Sequence, residues 1–432
     1  MAEYVEYRES GIPWIGKIPA HWDIQRGKNI LTLMDRPVKS DDEVITCFRD
    51  GEVTLRKNRR EDGFTVSLQE IGYQGIEPGD LVVHGMDGFA GAIGVSDSRG
   101  KATPVLNVMD SSHNKRYLMY YLRMSAYKDV FMSLSTGIRV RSCDLRWNKL
   151  SVFPFVLPDR DEQDKIVDYI DDSVKRIDSV IAEAKASIEE YKAWKASIIY
   201  EAVTKGLDPN VEMKDSGVEW IGDIPADWDV IRLKNVISFI ESGVSVNAAQ
   251  TPANEGGIGV LKTSSVSKYS FRPEENKEVN VEELGRVSCP VKANTIIVSR
   301  MNTPELVGAC GFVEQNWPNL FLPDRLWQVH FVKSVNVKYV WYYLCSNYIR
   351  SYYASLSSGT SSSMQNISQG QFENAYLMLP PYEVQLELVE HLDKKCSSID
   401  SLISEKEALI SDLEAYKKSL IFEVVTGKRK VV

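Results

Sequence analysis

The sequence predicts an α+β protein in which two β-rich domains are separated by two long antiparallel coiled-coil helices, with an internal pseudo-two-fold repeat. Three observations support this: the chain is duplicated, each copy ends in a long apolar stripe of 3.5-residue period, and each copy has short apolar runs in its middle. The 432 residues, 43% hydrophobic and 26% charged, suit two or three globular domains.

The duplication is clearest at the two ends of each copy. Residues 10–30 and 216–236 are identical at 13 of 21 positions, at an offset of 206. Residues 157–204 and 379–426 are identical at 19 of 48 positions, at an offset of 222. The second copy therefore carries sixteen additional residues, all of them in its diverged middle.

The closing segment of each copy predicts a long helix. Apolar residues recur there in alternating steps of four and three, over residues 170–202 and again over residues 392–424. This is the period of a coiled coil, so each stripe needs a helical partner, and the other copy supplies one. We predict helices over 160–204 and 382–425, each of about 45 residues and roughly 65 Å long.

Local signals mark the ends of the first helix. Pro158 and Asp159 predict its start, and Gly206 predicts its end. Lys195 and Lys417 occupy equivalent positions within the apolar stripes. We interpret these two lysines as fraying of the stripe near a helix end, with a register-setting role as the alternative.

The diverged middles read as β-rich. Runs such as residues 80–83 and 295–298 are apolar and are bounded by Gly, Pro and Asn, which is typical of short buried strands. A short helix is predicted at residues 117–122 and at their counterpart, residues 339–344.

Composition narrows the class of protein. A net charge of −9 and a pI near 5.3 exclude a histone-like protein that binds nucleic acid by bulk charge, although not a local DNA-binding face. The six cysteines are scattered without a CxxC pair, so reduced thiols are expected. Neither a signal peptide nor a run of about 18 apolar residues is present, which predicts a soluble cytoplasmic protein with no membrane partner.

Apparent catalytic motifs fail when the second copy is compared. Residues 11–17 fit the phosphate loop GxxxxGK, but Ile18 replaces the magnesium-binding Ser or Thr and Asp223 stands where Lys17 would be repeated. A nuclease-like PD…ExK pattern, starting at Pro158, is also missing from the second copy. The LPPY run at residues 379–382 has leucine where amino-methyltransferases need Asn or Asp.

The five histidines share no metal-binding spacing. We therefore predict no catalytic residue, no cofactor-binding residue and no metal site in this chain.

Several motifs together resemble the specificity subunit of type I restriction–modification systems. They are the SGxxWIGxIPxxW openings, the STG and SSG loops at residues 135–137 and 357–359, the LP…Q helix starts at residues 157–163 and 379–385, and the E(A/V)VT endings. The resemblance covers essentially the whole chain. One departure is Val384, which replaces the Glu of the Glu-Gln pair at the second helix start.

The resemblance implies a non-catalytic DNA-recognition subunit. It implies domains over 1–157 and 207–379 that each recognise one half of an asymmetric, split site in double-stranded DNA, and spacer helices within 158–206 and 380–432. The implied partners are two adenine-N6 methyltransferase subunits and restriction/translocase subunits, which would bind S-adenosylmethionine, ATP and Mg²⁺. The alternative is a coiled-coil scaffold or adaptor with duplicated protein-binding β domains.

Candidate DNA-contacting residues are the basic and amide side chains of the two middles, because Arg pairs with guanine, and Asn or Gln with adenine, in the major groove. The candidates in the first domain are Arg56, Lys57, Arg59, Arg60, Arg99, Lys101, Arg139 and Arg141. The candidates in the second domain are Lys262, Lys268, Tyr269, Arg300, Asn302, Arg325, Gln365 and Asn366.

Overall fold

The computed structural model describes residues 4–59, 70–133, 145–219, 221–361 and 364–431. The chain divides into two compact units, the first formed by residues 1–185 with 407–432 and the second by residues 186–406. Each unit contains one diverged middle and part of both long helices. The α+β class predicted from the sequence is confirmed.

The first middle is built from short strands and one helix of three turns. In the described residues the strands are β1 Tyr7–Glu9, β2 Lys17–Pro19, β3 Asp23–Arg26, β4 Thr32–Leu33, β5 Ile45–Cys47, β6 Val53–Leu55, β7 Gln74–Ile76, β8 Leu81–His84, β9 Ile93–Val95, β10 Gly100–Ala102, β11 Leu106–Asp110 and β12 Pro154–Leu157. The helices are α1 Gly27–Ile30, α2 Lys115–Tyr127, α3 Val130–Ser133, α4 Trp147–Leu150 and the long α5 Arg160–Lys205.

The second middle repeats this plan with additional strands. Its described strands are β13 Met213–Asp215, β14 Asp223–Pro225, β15 Asp229–Arg232, β16 Ile237–Ser242, β17 Gly259–Leu261, β18 Asn276–Glu278, β19 Pro290–Val291, β20 Thr295–Ser299, β21 Met301–Asn302, β22 Cys310–Val313, β23 Trp317–Phe321, β24 Leu326–Phe331, β25 Ser358–Ser361, β26 Met364–Asn366 and β27 Tyr376–Leu379. The helices are α6 Val337–Cys345, α7 Asn347–Leu356, α8 Gln369–Glu373 and the long α9 Tyr382–Val425.

An antiparallel four-stranded sheet with the same order lies at the centre of each unit. The order is β4-β11-β8-β9 in the first unit and β16-β24-β20-β22 in the second. Central strands β8 and β20 are covered on both faces: Leu81 and Val83 belong to one core cluster and Val82 to another. This explains why the sequence shows continuous apolar runs there instead of alternation.

The helix that packs on each sheet is fixed by the same two hydrogen bonds in both copies. In α2 the hydroxyls of Tyr117 and Tyr121 donate to the carbonyls of residues 156 and 154, at 2.9 and 3.0 Å. In α6, Tyr339 and Tyr343 donate to the equivalent carbonyls, at 2.6 and 2.8 Å. All four tyrosines are fully buried, and burial raises the pKa of each phenol. They are therefore neutral hydrogen-bond donors at physiological pH.

The glutamine of each helix-start motif joins the long helix to its own sheet-packing helix. Gln163 donates to the Pro158 carbonyl at 2.8 Å and accepts from the Asn114 backbone amide at 3.0 Å. Gln385 makes the same two bonds, to Pro380 at 2.9 Å and from Asn336 at 2.8 Å. Both glutamines are buried, so this motif has a structural role.

The Glu that precedes this glutamine is present, and forms hydrogen bonds, in the first copy only. Glu162 is buried and accepts hydrogen bonds from Tyr4, at 2.6 Å, and from His21 and Trp22, each at 3.1 Å. The second copy has Val384 at this position and a hydrophobic contact instead. The departure from the Glu-Gln pair therefore removes a polar cluster, while the glutamine contacts are kept.

The two long helices contact each other within each unit. In the first unit, Ile177 and Ile181 of α5 share a core cluster with Leu420, Ile421 and Val424 of α9. In the second unit, the last turns of α5 share a core cluster with the first turns of α9. Every position of the two predicted apolar stripes is buried or half-buried, and the neighbouring Ile199 and Ile421 are buried as well.

The fraying interpretation of the two lysines is wrong. Both helices continue beyond Lys195 and Lys417, and each lysine forms an ion pair with an aspartate of the facing helix. A long lysine stem can cover the apolar stripe while its ammonium reaches a partner at the edge. None of the helices in the described part of the chain is both long and apolar enough to cross a bilayer.

Candidate nucleic-acid interface

A small three-stranded sheet, with the order β21-β26-β25, stands at one end of the central sheet in the second unit. It brings candidates that are far apart in sequence into register. Asn302 lies opposite Gln365, and Met301 lies opposite Asn366. The two amide residues that the sequence singled out after the SSG loop are thus neighbours of the one that follows β20.

Two backbone hydrogen bonds add the arginines to this cluster. The Arg300 amide donates to the Arg325 carbonyl at 3.1 Å, and the Ile367 amide donates to the Arg300 carbonyl at 3.0 Å. The cluster is named here the β21 patch, and its members are Arg300, Asn302, Arg325, Gln365 and Asn366. Five of the eight candidates in the second domain therefore lie together.

The SSG loop is needed for the turn that forms this sheet. A Cβ placed on Gly359 would lie 2.0 Å from the Met364 carbonyl oxygen, a contact that real structures do not make. Strand β25 pairs with β26 with a register shift between Ser358 and Ser361. Glycine is therefore the residue that allows the two strands to approach so closely.

Side chains of the patch retain hydrogen-bonding capacity. Asn302 accepts from the Thr303 amide at 2.9 Å and donates weakly to Ser299 at 3.3 Å, while Asn366 donates to the Ser358 carbonyl at 3.1 Å. A carboxamide has two donor hydrogens and two acceptor lone pairs, so each keeps a donor and an acceptor for a further partner. Arg325 and Asn366 are exposed, and the other three members are half-buried.

Arg300 differs from most other basic candidates. Its Nε is enclosed without a hydrogen-bond partner among the described residues. A buried donor without a partner costs free energy, on the order of 1–3 kcal/mol. None of the ion pairs found in the described part of the chain involves Arg300 or Arg325.

The other candidates of the second unit lie at and after a single 3₁₀ turn, Thr263–Val266. Lys262 lies 3.7 Å from Glu275, and Lys268 is exposed. Tyr269 has a positive φ of 56°, and its hydroxyl accepts from Arg350 Nε at 2.6 Å. Burial raises its pKa to about 12 despite the opposing effect of Arg350, so the phenol stays neutral. Tyr269 therefore takes part in a structural contact.

The described candidates of the first unit are mostly held by carboxylates. Lys57 pairs with Glu43, Arg59 with Asp50 and Glu52, Arg99 with Asp42 and Glu77, and Lys101 with Glu70. Arg56 donates to Thr46, at 3.4 Å. A phosphate or base would have to compete with these carboxylates. Arg60, Arg139 and Arg141 lie outside the described residues.

The first unit has the same local geometry as the β21 patch, at residues that the sequence did not single out. There the Gly85 amide donates to the Val105 carbonyl at 2.8 Å, and the Leu145 amide donates to the Gly85 carbonyl at 2.8 Å. Gly85 therefore corresponds to Arg300, and the next two residues, Met86 and Asp87, correspond to Met301 and Asn302. The shared GAxG motifs at residues 91–94 and 308–311 mark this region in the sequence, but their offset of 217 differs by two residues from the structural offset of 215 between Asp87 and Asn302.

The described residues contain no group of three or more His, Cys, Asp or Glu arranged to hold a metal ion. Three of the described histidines contact a polar side chain of their own unit: His21 contacts Glu162, His113 contacts Gln163, and His330 contacts Glu241. Each contact lies within 3.1 Å, so these side chains serve the packing of their own unit.

Comparison with known proteins finds relatives of this chain among DNA specificity subunits. Residues 225–411 match the family model of the type I restriction modification DNA specificity domain. The chain is 20% identical over 438 residues to the type I restriction enzyme EcoKI specificity subunit of Escherichia coli strain K12, covering 96% of this chain and 90% of that one. It is 23% identical to the putative MjaX specificity subunit of Methanocaldococcus jannaschii, with 96% of both chains covered. The match to the Escherichia coli EcoEI specificity subunit, 27% identical, spans 48% of this chain and only 35% of that subunit.

Solved structures show the same fold. A chain of a structure described as complex assembly and conformational transition of the type I R-M system matches with a TM-score of 0.68 and 14% identity, over 95% of this chain and 99% of that one. The HsdS subunit of Thermoanaerobacter tengcongensis matches with a TM-score of 0.50 and 14% identity, over 95% and 98%. In sequence and in fold, the chain is therefore similar to DNA specificity subunits of type I restriction–modification systems.

Proposed function

We propose that this specificity subunit recognises an asymmetric, bipartite site in double-stranded DNA, with the β21 patch contacting base edges of one half-site. The observation that carries the proposal is the convergence of Arg300, Asn302 and Gln365 at one edge of the second unit. Arginine and carboxamide side chains are the groups that distinguish guanine and adenine in the major groove.

The charge balance favours a local interface of this kind. Residues 207–380 carry 14 basic and 18 acidic side chains, so the second domain has no general attraction for phosphates. Contact with DNA there requires a patch without neighbouring carboxylate partners, or phosphate contacts supplied by other subunits. Arg300 and Arg325 fit the first requirement better than the ion-paired Lys262.

We assign the recognition domains to 1–157 and 207–379, and the spacer helices to 158–206 and 380–432. The diverged middles within the two domains would recognise different sequences, since they have different side chains on a common strand order. All sixteen candidates from the sequence are proposed DNA contacts, and those outside the β21 patch would contact phosphates.

The chain is a specificity subunit and is not itself an enzyme. In this proposal the long helices bind two methyltransferase subunits that modify adenine N6, and the restriction/translocase subunits join them in the cytoplasm of a prokaryote. S-adenosylmethionine, ATP and Mg²⁺ would all be bound by these partners. The chain alone would then neither methylate nor cleave DNA.

The test is the methylation motif of the assembled complex. The full chain, combined with its methyltransferase partner and S-adenosylmethionine, is expected to methylate a split motif whose two halves differ, and the chain alone is expected to be inactive. Arg300→Ala should relax one position of one half-site by about tenfold to hundredfold, the equivalent of roughly 1–3 kcal/mol. A continuous palindrome, or binding without any sequence preference, would contradict the proposal and favour the scaffold alternative.

A further inference from the structure

The tip of the central strand is built in the same way in both units. In the second unit it is Met301–Asn302, which follows β20, and in the first unit it is Met86–Asp87, which follows β8. The residue just before each tip, Gly85 or Arg300, donates its amide hydrogen to a carbonyl that directly precedes β11 or β24. Its carbonyl accepts from the segment that follows the STG or SSG loop. The backbone position of Asp87 is therefore that of Asn302.

A side chain at the end of the strand holds each tip in place. His84 Nδ1 accepts from the amides of Met86 and Asp87, at 3.2 and 3.0 Å. At the equivalent position, Ser299 contacts the Met301 carbonyl and the Asn302 carboxamide, each at 3.3 Å. Both tips are thus supported from the strand below them, which is the arrangement that a recognition residue needs.

The first tip presents a charged pair in place of the carboxamide. Arg49, which follows β5, donates from Nη2 to Asp87 Oδ1 at 2.8 Å. The Arg49 side chain is 61% exposed and the Asp87 side chain 36% exposed. Asp87 precedes the 3₁₀ turn Gly88–Ala90 but makes no side-chain capping bond to it. An exposed ion pair of this kind contributes little to stability, so stability does not account for its position.

We propose that Arg49 and Asp87 together recognise one G·C base pair in the half-site contacted by the first unit. Arginine can donate two hydrogen bonds to guanine O6 and N7, and a carboxylate can accept from cytosine N4. Guanine O6 and N7 and the cytosine N4 amino group lie side by side on the major-groove edge of a G·C pair. The Arg49 guanidinium and the Asp87 carboxylate, held 2.8 Å apart, present donors and an acceptor in a matching arrangement. The ion pair orients the arginine without blocking its remaining donors.

This inference rests on the proposed function, and the second tip provides the comparison. Asn302 offers a carboxamide, which is complementary to adenine, at the position where the first unit offers the Arg–Asp pair. The two half-sites are therefore expected to differ at this structural position, with G·C in one and A·T in the other. The remaining bases are contacted by other side chains.

The experiment selects preferred sequences from a randomised duplex library, using the full chain assembled with its methyltransferase partner. Arg49→Ala and Asp87→Ala are each expected to reduce the preference for G·C at one position, the same position for both, by about tenfold to hundredfold. Arg49→Lys should give a similar loss, because lysine keeps the charge and loses the bidentate geometry. Lys115→Ala and Asp110→Ala, which remove an ion pair between β11 and α2 of the same unit, are the matched controls and should leave the motif unchanged.

Three results would overturn the inference. They are an equal loss of affinity for all sequences, which is the behaviour of a phosphate contact; effects of the two variants at different positions; or an unchanged motif. Asn302→Ala, measured in parallel, separates this inference from the proposed function. If Asn302→Ala relaxes one position of the other half-site while the Arg49 and Asp87 variants do nothing, only the inference is wrong. If none of these variants changes any position, the proposed base recognition by both tips is wrong.

Discussion

Lys195 of α5 and Asp400 of α9 form an ion pair, with the lysine Nζ 2.7 Å from both carboxylate oxygens. Lys417 of α9 and Asp178 of α5 form the equivalent pair in the other unit, at 2.5 Å. The two lysines are 222 residues apart, and so are the two aspartates. The duplicated sequence therefore makes the same contact twice, with the roles of the two helices exchanged, which indicates a register-setting role for the lysines.

Reversing one of these charges tests that role. Lys195→Asp would place two carboxylates together and is expected to lower the free energy of unfolding by up to about 1 kcal/mol, because exposed pairs contribute little. The double variant, Lys195→Asp with Asp400→Lys, should recover most of this loss. The measurement is a double-mutant cycle from urea unfolding midpoints. A cycle without coupling would mean that the apolar stripe alone sets the register.

Replacing Arg99 should affect folding more than DNA recognition. Arg99 contacts both Asp42 and Glu77, and the Asp42 side chain is only 3% exposed. Burial alone would raise the pKa of Asp42, but hydrogen bonds from the Lys39 amide and from Arg99 outweigh it, and its pKa is lowered. Arg99→Ala leaves this carboxylate without a major partner and should cost about 1–3 kcal/mol of stability. Arg300→Ala is the contrasting variant, and the comparison uses thermal unfolding together with motif selection.

Acid should loosen the first tip through His84. Burial lowers the pKa of this histidine below its ordinary value of 6.5, with Asp87 opposing and Arg49 assisting the shift. Below pH 6.5 His84 therefore binds a proton in the unfolded chain but stays neutral in the folded protein until the pH reaches its lowered pKa. The free energy of unfolding should fall as the pH decreases from about 6.5 toward the lowered value. His84→Asn keeps an acceptor for the tip amides and does not titrate.

Urea unfolding of the wild type and His84→Asn, at pH 7.5 and at pH 5.5, checks this expectation. The difference in stability between the two proteins should change in favour of the variant at the lower pH. A difference that is the same at both pH values would show that the His84 proton is not linked to folding.

Removing the buried glutamine of the second helix start should destabilise the chain. Gln385→Leu leaves the Asn336 amide and the Pro380 carbonyl without their side-chain partner, at about 1–3 kcal/mol for each group left unpaired. Gln163→Leu should have a similar effect, since it makes the same two bonds. Gln369→Leu, at an exposed position, is the control. Equal unfolding midpoints for all three variants would contradict the role assigned to the motif.

Exchanging one middle should change one half-site only. Replacing residues 237–355 with the corresponding segment of another specificity subunit is expected to alter the half-site contacted by the second unit and to leave the other half intact. The methylated motif before and after the exchange is the measurement. If both halves changed together, the assignment of one half-site to each unit would be wrong.

The duplication, the helix bounds and the α+β class followed from local patterns. A 3.5-residue apolar period over residues 170–202 and 392–424 is typical of a long helix that packs against another helix. The observed helices, 160–205 and 382–425, match the prediction within one residue. The continuous apolar runs at β8 and β20 likewise required strands buried on both faces. These features depend on residues close together in the chain, which is why the sequence determined them.

The composition of the candidate site was decided by tertiary structure. Arg99 and Arg300 look alike in the sequence, but one is placed among carboxylates and the other beside Asn302 and Gln365. Arg49 and Asp87 carry no motif at all and meet only because β5 and β8 end at the same place in the fold. Whether a charged side chain is paired or available depends on contacts between distant segments, and such contacts exist only once the sheets have formed.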